Sequence, residues 1–151
     1  METNPEARRA VPGRAAATGW TEHLVRWYLR TVWNDGDLRA FDTDLVSDDY
    51  VLHHGSTEYT VGELRVAWAE WHRAFPDLRN DVEDLLATDD RVALRYRFSG
   101  THRGEALGVP ATGRRVETVG MALFRVENGR LVEGWAVDDV YGLLEQLGAL
   151  P

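Results

Sequence analysis

Residues 114–148 read RRVETVGMALFRVENGRLVEGWAVDDVYGLLEQLG, and this stretch decides the fold. Two runs of alternating side chains flank Glu127-Asn128-Gly129, the kind of turn that closes a β-hairpin, and the segment ending at Gly148 has the spacing of a short amphipathic helix. Along one face of the hairpin the side chains are small: Gly120, Ala122, Gly134 and Ala136, ending at the carboxylate of Asp138. Such a face either lies under close-packed protein or leaves room for something that is not protein. If the turn has three residues with Gly129 in the left-handed region, Val126 pairs with Arg130 and the even-numbered residues share that face. Ala122 then falls opposite Gly134, Gly120 opposite Ala136 and Thr118 opposite Asp138, while Trp135 faces away.

Working back from the hairpin, residues 78–87 and 91–102 read as two further strands joined at Asp89-Asp90. A longer connection containing Gly and Pro covers residues 103–113. Before them lies the strongest helical pattern in the chain, with Leu64, Ala67, Trp68, Trp71 and Phe75 on one stripe and Pro76 as its stop. Thr60 and Glu63 have capping-box spacing at its start. Residues 50–54 read as a short strand on which His53 and His54 point to opposite faces. A helix from Trp20 carries Leu24, Trp27, Tyr28, Thr31 and Val32 on one face and stops at Asn34-Asp35-Gly36. A second short helix covers residues 38–45. Residues 1–19 have no apolar period and read as a flexible tail ahead of a single domain, residues 20–151. Helices followed by a strand meander and a closing helix make an α+β layout, with helices against one face of a curved antiparallel sheet.

Composition removes several function classes. The net charge of −8 and the lack of any basic block argue against nucleic acid and against an anionic membrane surface as partners. No apolar run is long enough to span a bilayer and no signal-peptide core is present, so a soluble, cytoplasmic protein is expected. The chain has no cysteine, which removes thiolate chemistry, and all 17 basic side chains are arginine, which removes a lysine Schiff base. Chemistry must come from Asp, Glu, His, Tyr or hydroxyl groups. Gly100, Gly104 and Gly108 do not form a phosphate loop, and His53-His54 lacks the spacing of a metal pair. No metal and no cofactor are expected.

Several segments together resemble one family: AFPDL at residues 74–78, GTHRG at 100–104, GVPATGRRV at 108–116, FRVENGRLVE at 124–133, Trp135, and GLLEQLG at 142–148. In this order they resemble the SnoaL-like polyketide cyclases of the NTF2-like superfamily, over nearly everything from Trp20 onward. The resemblance implies a cone, with N-terminal helices packed in a strongly curved antiparallel sheet around a deep apolar pocket. It also implies a homodimer through the outer sheet face. In activity it implies ring closure by intramolecular aldol condensation, with an acidic residue moving the proton and no metal or cofactor required. Family members carry a histidine near the position of Ala122 and an aspartate at that of Ala136, so the usual acid/base pair is replaced here by two alanines.

The expected substrate is an apolar, carbonyl-bearing polyketide or polycyclic intermediate, and the expected activity is that of a cofactor-independent cyclase, lyase or isomerase. Asp138 is the candidate proton shuttle, assisted by His53 and Asp139. Asp138 and Asp139 also stand where a helix cap is favoured, which is the competing structural role. Trp27, Trp71, Phe75 and Tyr96, with Gly120, Ala122, Gly134 and Ala136, are the candidate substrate-binding surface. Two alternatives stand beside this reading. One is an epoxide hydrolase that activates water at Asp138 and needs a second polar group beside it, and the other is a non-catalytic small-molecule-binding protein.

Overall fold

A computed structural model describes residues 14–151. Helix α1 (Arg14–Tyr28) runs into a π-helical stretch, Leu29–Asn34, and a 3₁₀ turn, Leu38–Asp42. Strands β1 (Val46–His54) and β2 (Thr57–Thr60) precede helix α2 (Val61–Ala74). Strands β3 (Arg79–Ala87), β4 (Arg91–Thr101), β5 (Arg115–Glu127) and β6 (Arg130–Asp138) follow, and α3 (Val140–Gln146) closes the chain. The expected tail at residues 1–19 lies outside the described residues up to residue 13, and from Arg14 the chain is helical.

The six strands form one curved, open sheet in the order β2-β1-β6-β5-β4-β3. Every neighbouring pair is antiparallel except β1 and β6, which run parallel. That parallel seam departs from the expected antiparallel sheet. It matters for the site, because it sets His54 of β1 directly beside Ala136 of β6.

Local chemistry explains the helix boundaries. The Thr60 N–H donates to Glu63 Oε2 at 2.9 Å and the Glu63 N–H donates to Thr60 Oγ1 at 3.4 Å, the reciprocal pair that starts α2. At the end of the first helix the Asp35 N–H donates to the carbonyl of Arg30, five residues back, at 2.9 Å. That wide turn shifts the apolar stripe by a residue. Leu29, Val32 and Trp33 become buried, whereas regular spacing from Tyr28 selects Thr31 and Val32.

The hairpin keeps its predicted face but not its predicted partners. Asn128 and Gly129 both have positive φ, 52° and 74°, so the turn has two residues, Glu127 pairing with Arg130. One extra residue then enters β6 at Val132, where the register shifts. Beyond this bulge Ala122 pairs with Ala136 and Gly120 with Asp138, two residues away from the expected register. Side chains alternate with a period of two, so a slip of two residues leaves those beyond the bulge on their predicted face, while before it Leu131 rather than Arg130 faces inward opposite Val126.

Two apolar clusters fill the space between sheet and helices. The larger includes Tyr28, Trp33, Phe41, Tyr50, Tyr96 and Phe124, and the smaller includes Phe75, Leu78, Phe98, Val116 and Leu143. His102 is fully buried. Its ring stacks on Phe75 with centroids 5.3 Å apart and its Nδ1 accepts the Thr112 N–H at 3.2 Å, which pins the connection between β4 and β5.

Candidate active site

Directly opposed residues of adjacent strands share a face, so the register builds the site row by row. One row runs Val82, Tyr96, Gly120, Asp138 across β3, β4, β5 and β6. The adjacent row runs Leu94, Ala122, Ala136, His54 across β4, β5, β6 and β1. Gly120 contributes no side chain to the first row, and Tyr96 and Asp138 meet across it. The Tyr96 hydroxyl donates to Asp138 Oδ1 at 2.5 Å. A Cβ on Gly120 would fall on the Tyr96 ring carbon and within 2.5 Å of Asp138 Oδ1 and of the Tyr96 hydroxyl. In the second row Ala136 is small beside His54, and the His54 imidazole reaches the same carboxylate, Nε2 lying 2.6 Å from Asp138 Oδ2. An ionised carboxylate only accepts, so Nε2 carries the hydrogen of this bond.

This cluster sits in the wall of a cavity of about 240 Å³ between the sheet, α2 and the start of α3. Trp33, Trp68, Trp71, Leu64, Phe98 and Leu143 are among its apolar walls, and Leu107 from the β4–β5 connection also contributes. The polar groups besides the cluster are Asp139, Thr118, Asn80 and Tyr59. Thr118 is buried, and its hydroxyl makes no hydrogen bond among the described residues. The Tyr96 ring is held edge-on against Trp33, centroids 4.8 Å apart.

Electrostatics follow from this placement. Burial, and then the negative charge of Asp138, push the Tyr96 phenol far above its usual range, so it stays a neutral donor to that carboxylate. The hydrogen bond to Asp138 raises the His54 pKa above the ordinary imidazole value, against the opposing effect of partial burial.

The residues expected from sequence divide into three groups. Asp138, Asp139, Trp71, Tyr96 and Ala136 line the cavity, and Gly120 lies beneath the Tyr96–Asp138 contact. Asp139 also caps α3, accepting the Gly142 N–H at 2.8 Å. Trp27, Phe75, Ala122 and Gly134 do not line the cavity. Phe75 is fully buried in the smaller cluster, Ala122 is buried in the larger, and Trp27 packs half-buried against it. Tyr50, Leu52 and Phe124 close over Gly134. His53 stands on the opposite side of β1, its Nε2 2.8 Å from Glu133 and its Nδ1 3.2 Å from Glu58, with its ring stacked on Trp135.

The histidine in the cavity is therefore His54. Alternation along the strand separated the two histidines, but only the parallel pairing of β1 with β6 selects which of them faces inward. Trp33 and Thr118 were also missed as wall residues, Trp33 because of the wide helical turn. The even-residue face of β5 did point to Thr118. Among the described residues, no group of three or more His, Asp or Glu side chains is placed to hold a metal ion. No described helix is long and apolar enough to cross a membrane.

The sequence profile of the SnoaL-like polyketide cyclases matches residues 22–147. No match is found among curated protein sequences. Among solved structures, AclR from Streptomyces galilaeus, described as a candidate hydroxylase, is 32% identical with a TM-score of 0.74, over 92% of this chain and 89% of its own. IdmH from Streptomyces antibioticus, described as a candidate polyketide cyclase, is 32% identical with a TM-score of 0.73, over 85% of this chain and 98% of its own. A SnoaL-like protein from Jannaschia is 21% identical, covers 93% of this chain and 100% of its own, and has a TM-score of 0.81. At that identity it speaks for the fold alone, the NTF2-like cone.

Proposed function

The chain belongs to the SnoaL-like polyketide cyclase family, and from that premise we propose that it is an acid/base enzyme, a cyclase or related lyase or isomerase, acting on an apolar carbonyl-bearing intermediate. One observation carries the reading: a carboxylate, Asp138, stands in the wall of a largely apolar cavity and is shared by Tyr96 and His54. In the proposed reaction the cluster removes a proton from a carbon next to the substrate carbonyl. The resulting enolate attacks a second carbonyl within the same molecule, and the proton returns to the new alkoxide. The Thr118 hydroxyl is free to donate to a ligand oxygen, and the tryptophan walls suit a flat ring system. This chemistry uses protein side chains only.

The same reading supplies acid and base from residues other than the pair replaced by Ala122 and Ala136. Its test does not require the natural substrate. β-Tetralone is a small, apolar, fused-ring ketone whose benzylic methylene is acidic, and deuterium uptake there in heavy water reports proton abstraction. The protein is expected to speed uptake above buffer, and Asp138→Asn to slow it by roughly tenfold or more. Uptake no faster than buffer would sink the reading.

One observation favours a second reading. Tyr96 beside Asp138 supplies the polar partner that water activation for epoxide opening requires. Incorporation of one labelled oxygen from solvent into an epoxide probe would select it over proton abstraction. The homodimer remains part of the proposal. Val119, Met121 and Val137 are exposed on the outer sheet face, and Met121→Asp is expected to shift the sedimentation coefficient to that of a single chain if a second copy covers them.

A further inference from the structure

We infer that the group that takes and returns the proton is the Nδ1 nitrogen of His54, with Asp138 as the carboxylate that orients the imidazole and Tyr96 as the clamp that holds Asp138. This assignment rests on the acid/base reading above and goes beyond it, because sequence reasoning had given the proton to Asp138.

The Asp138 carboxylate is committed. Each of its two oxygens already holds a protein donor, Oδ1 the Tyr96 hydroxyl at 2.5 Å and Oδ2 the His54 ring at 2.6 Å. Asp138 could take a substrate proton only by sharing an oxygen with one of them. His54 is differently placed. Its Nε2 is engaged by Asp138, which fixes the hydrogen on that nitrogen and leaves the lone pair of the neutral ring on Nδ1. Nδ1 has no partner among the described residues, and the side chain, 36% exposed, lines the cavity. A carboxylate that sets the tautomer of an imidazole and stabilises its charged form is an effective way to make a histidine a base.

Besides His54 and Asp138, three titratable groups line the cavity. Tyr96 on β4 is committed to Asp138, and Asp139 at the end of β6 accepts the Gly142 N–H. The other titratable group on that wall is Tyr59 on β2. His53, the neighbour on the same strand, faces Glu58 and Glu133 on the other side of the sheet.

The proton balance is simple. Nδ1 accepts the proton, the C–H electron pair moves into the enolate, and the imidazolium gives the proton back to the alkoxide oxygen after ring closure, with no oxidant or reductant. The raised pKa of His54 makes this imidazolium persistent and places the acid limb of the reaction above the ordinary imidazole value.

Two measurements on the full chain test the assignment. Ring ¹⁵N NMR of histidine-labelled protein, with His54 assigned by its loss in His54→Gln, should show neutral His54 with its hydrogen on Nε2. The titration midpoint should lie above that of free imidazole side chains and fall in Asp138→Asn. β-Tetralone exchange should drop roughly 100-fold in His54→Gln, a loss typical of a general base, and only about tenfold in Asp138→Asn, with the acid limb moved to lower pH. Neutral His54 protonated on Nδ1, or a His54→Gln variant at full rate beside an inactive Asp138→Asn, would overturn the assignment while leaving the acid/base reading intact. Wild-type exchange at the buffer rate, or both variants at full rate, would overturn both.

Discussion

Gly120 and Gly134 lie on the same face of one hairpin, and at each a methyl group would strike its surroundings, yet the surroundings differ in kind. At Gly134 the neighbours are the Tyr50 hydroxyl at 2.6 Å and carbons of Leu52 and Phe124 at 3.1 Å, all from buried side chains of the main core. At Gly120 they are the Tyr96 hydroxyl and the Asp138 carboxylate, which meet where a side chain would otherwise stand. One absence of a side chain makes room for apolar packing and the other for a hydrogen bond between two polar groups. A stripe of small residues therefore announces close approach, and only the residues that approach reveal its purpose.

The widest separation between the two sites is expected in stability. Gly134→Ala overpacks a filled core whose rings have nowhere to go and should cost about 1–3 kcal/mol, read as a lower urea midpoint, while β-tetralone exchange per folded molecule stays at the wild-type rate. Gly120→Ala should invert this pattern. Asp138 is partly exposed and both groups border the cavity, into which they can give way, so less stability is lost, but exchange should fall about tenfold, equivalent to about 1.4 kcal/mol of barrier. Equal losses of stability with equal exchange rates would erase the distinction.

A smaller change, remote from both glycines, sets the scale. Thr60→Ala removes one half of the capping box of α2 and should cost about 1 kcal/mol with no change in exchange rate. The smallest effect concerns pH. The folded-state pKa of His54 is raised, so its pairing with Asp138 stabilises the fold fully below the unfolded imidazole value, and that contribution is lost as pH rises through the folded value. The pair is partly exposed, so the difference in stability between wild type and His54→Gln should shrink by less than about 1 kcal/mol from about pH 6 to about pH 9. A difference that grows with pH would contradict the pairing.

How much of this was legible in the sequence depended on whether the deciding interaction was local. The capping box, the stop before Pro76 and the alternation of β5 and β6 are set by neighbours in the chain, and each was readable. The hairpin face was readable for the same reason. Its register was not, because Asn128 joins Gly129 in the left-handed region and a bulge at Val132 then adds a residue, two departures that together move the pairing by one full period. Asp138 was legible as a carboxylate at the end of a small-residue face. Its partners were not, since Tyr96 comes from β4 and His54 from β1, and no spacing rule relates them. The choice between His53 and His54 turned on a parallel strand pair closed between distant segments. Trp33 was lost to a single wide turn that breaks the helical period on which the prediction relied.

If Gly120 is empty so that Tyr96 can hold Asp138 in place for acid/base work, filling it should matter only while the carboxylate is present. A double-mutant cycle on β-tetralone exchange, using Gly120→Ala, Asp138→Asn and the two combined, addresses it directly. Gly120→Ala should add nothing once Asp138 is gone, so the double variant should exchange at the rate of Asp138→Asn alone. Independent losses that multiply in the double variant would contradict it.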